Sequence, residues 1–99
     1  MRSSRAVLVA ACVLTAMWPA VASAQSTFEI NIDRPGLDYR TFEIQGGPRA
    51  CQNACFNSGR CAAWTYVRAG YQGPAPRCWL KSAVPAGVPS ACCVSGVRD

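Results

Sequence analysis

The chain has 99 residues, seven cysteines, no histidine and a formal net charge of +5. That length suits one small domain. Without histidine there is no usual base to activate a serine or cysteine nucleophile, and the basic residues form no run of the kind that grips nucleic acid.

Residues 1–24 read as a signal peptide. Arg2 and Arg5 give a positive start, Ala6 to Trp18 is apolar, Pro19 breaks the run, and Ala22-Ser23-Ala24 has the small-x-small form of a cleavage site. Cleavage after Ala24 is expected, leaving one domain over residues 25–99 that is exported to the periplasm or outside the cell. Val9-Ala10-Ala11-Cys12 offers a second reading as a lipobox, with Cys12 lipidated and retained. Few apolar residues precede Cys12 and the apolar run continues past it, which favours the cleaved product. Residues 6–22 are barely long enough for a bilayer, which takes about 20 residues, and contain Pro19; nothing later could span, so no stable membrane insertion is expected after cleavage.

Loss of the leader leaves eight basic and five acidic residues, a charge of +3, and an even six cysteines. In a small exported chain, six cysteines suggest a disulfide framework. Size explains the need: so short a domain buries too little surface to be stable without staples.

Thr27 to Ile32 alternates apolar and polar residues, the period of a half-buried strand with Phe28, Ile30 and Ile32 on one face. Asp33-Arg34-Pro35-Gly36 reads as a turn, and a second strand runs from Asp38 to Ile44. Gly46-Gly47-Pro48 opens a helix predicted over Arg49 to Asn57, with Gly59 as a left-handed cap. Cys51 and Cys55 are four apart and share one helix face, while Gln52, Asn53 and Asn57 are expected to face water. Cys61 to Val67 is strand-like, rich in aromatic and β-branched residues. Its small face of Cys61, Ala63, Thr65 and Val67 is expected against the helix, with Trp64 and Tyr66 on the other side. Residues 68–77 hold two glycines and two prolines and read as an exposed hairpin loop. Cys78 to Lys81 is the return strand, with Cys78 and Leu80 on one face. Residues 82–90 are expected to be irregular, and Val94 to Val97 to form a last strand against the first.

These segments resemble the PAN/Apple family. The likeness rests on Asn31-Ile32-Asp33-Arg34-Pro35-Gly36-Leu37-Asp38-Tyr39-Arg40, Cys51-Gln52-Asn53-Ala54-Cys55, Cys61-Ala62-Ala63-Trp64-Thr65-Tyr66-Val67, Cys78-Trp79-Leu80-Lys81 and Ser95-Gly96-Val97, and it covers residues 31–97. The resemblance implies an α+β fold, a twisted antiparallel sheet with one α-helix packed across it. It also implies bridges Cys51–Cys78 and Cys55–Cys61, and a binding role without catalysis. The chain departs from the vertebrate apple pattern in lacking a cysteine in its first mature strand, so the bridge that clasps the termini there cannot form.

In its place stands Cys92-Cys93. Three readings stay open: a Cys92–Cys93 disulfide, a shuffled set with one of the pair bonded to Cys51 or Cys78, and free or intermolecular thiols. Neighbouring Cα atoms are about 3.8 Å apart whereas disulfides prefer roughly 4.4–6.8 Å, so a vicinal bond would be strained and easily reduced.

Chemistry other than binding finds little support. The acids Glu29, Asp33, Asp38, Glu43 and Asp99 are scattered, and no pair is placed for glycoside hydrolysis. The cysteines lack the short C-x₂-C knuckles of zinc modules, so neither metal nor cofactor is expected. A protein or glycan ligand is the expected partner. Exposed aromatic and cationic residues on loops and strand ends are the candidate contacts: Tyr39, Arg40, Arg68, Tyr71, Arg77 and Lys81. A small cationic inhibitor or effector is the alternative.

Overall fold

The computed structural model describes residues 26–98. The expected cleavage after Ala24 and the lipobox alternative at Cys12 lie outside that range. The elements in order are β1 (Glu29–Asp33), β2 (Asp38–Glu43), α1 (Gly47–Phe56), β3 (Ala63–Val67), β4 (Arg77–Lys81) and β5 (Val88–Val97). The five strands form one sheet in the order β1-β5-β3-β4-β2, antiparallel at every pairing. The helix lies across one face, giving the small disulfide-stapled α+β fold.

Helix α1 starts where Gly46, at φ 99°, takes the left-handed conformation that a side chain would resist. Pro48 sits in the first turn, where its missing N–H costs nothing. The helix ends differently from the sequence expectation. Gly59 is not left-handed, and Asn57 is the cap, its N–H donating to the Asn53 carbonyl at 3.0 Å while the next N–H, of Ser58, donates to the Cys55 carbonyl at 3.1 Å. The Arg98 guanidinium then donates to the carbonyls of Ser58 (2.6 Å), Cys61 (3.1 Å) and Cys55 (3.4 Å). A cation from the far end of the chain thereby gathers the carbonyls at and just beyond the helix C-terminus, where positive charge is favoured.

The core lies between α1 and the sheet: Cys51, Cys55, Cys61, Trp64, Tyr66, Cys78, Leu80 and Val94, with Phe28, Tyr39, Phe42, Ile44 and Ala54 packed around them. Trp64 and Leu80 have no exposed surface, and burying one such side chain contributes about 1.5–3 kcal/mol. Cys51 is bonded to Cys78 with Cα atoms 5.4 Å apart, and Cys55 to Cys61 at 5.2 Å.

This arrangement reverses the expected faces of β3. Trp64 and Tyr66, not Ala63, Thr65 and Val67, lie beneath the helix. Register is the cause. Tyr66 stands opposite Cys78 and Trp64 opposite Leu80, so whatever face Cys78 offers to Cys51 is also the aromatic face of β3. Gln52 is likewise buried rather than in water, accepting from Arg49 Nη1 at 2.8 Å. Arg49 in turn lies over the Phe28 ring, 3.8 Å from its centroid. Ile30 does not share a buried face with Phe28 and Ile32, being 62% exposed. Asn31 adopts φ 61° and the β1–β5 register shifts between Ile30 and Ile32, which turns the strand. The last strand is longer than expected, starting at Val88, and lies between β1 and β3.

The two ends meet by hydrogen bonds: Thr27 N–H donates to Val97 O (3.0 Å) and Val97 N–H to Thr27 Oγ1 (2.8 Å). Strands β1 and β2, joined by only residues 34–37, occupy opposite edges of the sheet. Four strand spacings in a flat sheet would span about 19 Å. Five Cα steps reach at most about 18 Å even when straight, and this segment turns at Gly36 (φ 96°) and Leu37 (φ 62°). A flat sheet is therefore impossible. The short connection requires the sheet to curl, and it crosses the face opposite the helix as a strap.

Candidate functional site

Strand alternation decides what lies on that concave face. In β4, Cys78 and Leu80 point to the core, so Arg77, Trp79 and Lys81 point away from it. In β3 the same rule places Thr65 and Val67 there. Thr65 and Ser95 are paired across β3 and β5, their hydroxyls 2.7 Å apart and fully buried. The strap closes one side of the hollow and the β3–β4 hairpin another. The result is a pocket of about 220 Å³ whose lining includes Asp33, Asp38, Gln72, Trp79, Lys81 and the Cys92–Cys93 pair.

Three contacts hold the strap. Arg34 forms a bidentate pair with Glu29, both distances 2.9 Å, and donates to Pro85 O at 2.7 Å. Lys81 Nζ reaches across to Asp38 Oδ1 at 2.5 Å and Gly36 O at 3.3 Å. Ser82 N–H donates to Leu37 O at 2.9 Å. The hydrogen bond from Arg34, aided by its charge and opposed by partial burial, holds the Glu29 carboxyl below the usual carboxylate range. On the hairpin side, Trp79 Nε1 donates to Gln72 Oε1 at 2.9 Å, which fixes the indole at the pocket wall.

The six residues singled out in the sequence do not form one patch. Lys81 lines the pocket but is 2% exposed and engaged with Asp38. Arg77 shares its face and donates from Nε to Thr41 Oγ1 at 3.3 Å. Arg68 leads into the hairpin, donating to Asn31 Oδ1 (3.2 Å) and to the Ala91 carbonyl. Tyr71, beside Gln72, is 58% exposed. Tyr39 and Arg40 belong to the helix side. The Tyr39 hydroxyl pairs with Ser58 Oγ at 2.5 Å beneath the Arg60 guanidinium, and Arg40 lies over the Phe42 ring.

Trp79, Gln72 and Asp33 are pocket residues that sequence reasoning missed. The alternation of β4 carried a signal for Trp79, since a core-facing Cys78 and Leu80 oblige their neighbour to face away. Gln72 and Asp33 arrive from loop and strand ends, which periodicity does not place. The only cluster of three potential metal ligands among the described residues is Asp33, Cys92 and Cys93.

One helix clamped by two bridges onto a curled sheet, with a small pocket on the uncovered face, fits a small binding module. The chain belongs to the PAN domain family, which matches residues 32–81. PAN domains are in general non-catalytic binding modules. Comparison with curated proteins and with solved structures returned no match.

Proposed function

We propose that this protein is an exported, non-catalytic module that recognises a protein or carbohydrate ligand in the pocket under the Asp33–Asp38 strap. The observation that carries the reading is Trp79. It is a half-buried indole in a hollow, locked by Gln72 beside the Asp38–Lys81 pair. A fixed aromatic wall with a few convergent polar groups is the usual make-up of a recognition pocket. Tyr71, Arg68 and Arg77 extend it along the hairpin, offering stacking and bidentate contacts to carboxylates or sulfates. Tyr39 and Arg40 are assigned no part in the pocket. Export is supported by the leader-like residues 1–24 and by cysteine pairing of a kind that persists in oxidising compartments. No helix among the described residues is long and apolar enough to cross a membrane.

The test is a glycan array together with a cell-envelope pull-down, using the wild type, Trp79→Ala and Tyr39→Ala. Specific capture that Trp79→Ala weakens at least tenfold and Tyr39→Ala leaves intact supports the pocket. Capture indifferent to Trp79 removes it, and inhibition of growth or of a protease without any capture favours the cationic inhibitor instead. An intact mass of the exported protein, with and without reductant, checks cleavage after Ala24 and the number of bridges.

A further inference from the structure

Asp33, Cys92 and Cys93 lie together at one side of the pocket, their ligand atoms all within 4.8 Å of one another. The two sulfurs are bonded, with Cα atoms 3.7 Å apart as chain neighbours must be. Cys93 is fully buried and Cys92 is partly open to solvent. The other two bridges differ in this respect: Cys51, Cys55 and Cys78 have no exposed surface and Cys61 only 3%. Attack on a disulfide needs access to a sulfur, so one of the three bridges offers itself to a reagent in solution. Ser90 Oγ stands 3.1 Å from Cys92 Sγ, where its hydroxyl can donate to a thiolate.

We propose that the reduced Cys92–Cys93 pair and the Asp33 carboxylate form a site for a soft divalent cation of the zinc–cadmium class. A thiolate of a dithiol reductant attacks Cys92 Sγ, the S–S bond breaks, and Cys93 Sγ leaves as a thiolate. The second thiol of the reductant then attacks the mixed disulfide and releases Cys92 Sγ. Two electrons pass to the pair, and the reductant becomes a disulfide. The chain now holds two thiolates and a carboxylate in one small volume, an arrangement of like charge that protons or a cation must neutralise. Thiolates select soft cations, and zinc takes sulfur and oxygen ligands at about 2.0–2.3 Å. With the bond between them broken, the two sulfurs separate to share one ion with the Asp33 carboxylate, whose oxygen already lies within 4.8 Å of both. Binding displaces whatever protons the two thiols hold. The bridges at Cys51–Cys78 and Cys55–Cys61 keep the fold while this happens.

The experiment treats the oxidised protein with graded dithiothreitol, maps the alkylated cysteines, and titrates the partly reduced protein with Cd²⁺. Cys92 and Cys93 are expected to alkylate first. One equivalent of Cd²⁺ is expected to bind with sulfur-to-cadmium charge-transfer absorbance. Cys92→Ser/Cys93→Ser abolishes the absorbance, and Asp33→Asn weakens affinity about tenfold or more, with circular dichroism confirming that both variants fold. Opening of another bridge first or together with Cys92–Cys93, absence of the charge-transfer band, or a smaller loss in Asp33→Asn overturns the site.

Discussion

Lys81 Nζ lies 2.5 Å from Asp38 Oδ1, with the lysine side chain 3% exposed and the aspartate side chain 28% exposed. The pair joins the end of β4 to the start of β2 and pins the strap over the pocket. Asp38→Asn removes the countercharge of a buried ammonium. Losing one partner of a fully buried pair costs about 3–5 kcal/mol. Water reaches this aspartate, so about 2 kcal/mol is expected, read as a lower urea midpoint at an unchanged slope. A change under 0.5 kcal/mol, about the size of an ordinary surface substitution, would show that the pair does not hold the strap.

Gly96 stands opposite Trp64. A Cβ there would sit 2.6 Å from the indole Nε1 and would also collide with the Thr27 carbonyl. Gly96→Ala therefore forces the first residues of the domain away from the sheet and is expected to cost about 2–3 kcal/mol. Gly59→Ala is the control. It meets nothing within 4 Å and needs no left-handed backbone, so a change within about 0.5 kcal/mol is expected.

Two bridges of different span should stabilise unequally. Cys51–Cys78 closes a separation of 27 residues and Cys55–Cys61 one of 6. In the chain-entropy account, loss of the longer one as Cys51→Ala/Cys78→Ala costs about 1 kcal/mol more than loss of the shorter. Thermal unfolding of the two double variants measures the difference, and equal midpoints would place the stabilisation in native packing instead.

Glu29 and Arg34 give the fold an acid-sensitive contact. The folded carboxyl titrates below its ordinary value of 4.5, so its contribution is complete above that pH and is lost as the pH falls through the lowered value. Both groups keep some exposure, which limits the effect to less than about 1 kcal/mol. Glu29→Gln should flatten the stability–pH curve below pH 4.5 and leave its neutral limb parallel to the wild type. An acid limb identical to the wild type would mean the contact adds nothing.

The sequence carried the helix, the hairpin from β3 to β4 and both halves of the N-terminal region, because Pro48, the aromatic run at Trp64–Tyr66 and the Gly-Pro loop speak locally. It did not carry which face of β3 meets the helix. Ala63 and Thr65 look suited to close packing, yet Trp64 and Tyr66 take that place because they stand opposite Leu80 and Cys78. Register across strands is a long-range property that alternation within one strand does not contain. The pocket was hidden for the same reason: Asp33, Trp79 and Cys93 are brought together only when the strap, shorter than a flat sheet is wide, bends the strands around them.

The clasp between Thr27 and Val97 gives the domain a single doorway, with incoming and outgoing chain side by side. Asp33 lies at the end of β1 away from Thr27. A host polypeptide could accept such a unit within one of its surface loops without prising its own ends apart, and the hollow, which runs along the sheet face from Lys81 at the clasp end to Cys92 and Cys93, would lie along the flank of the inserted unit.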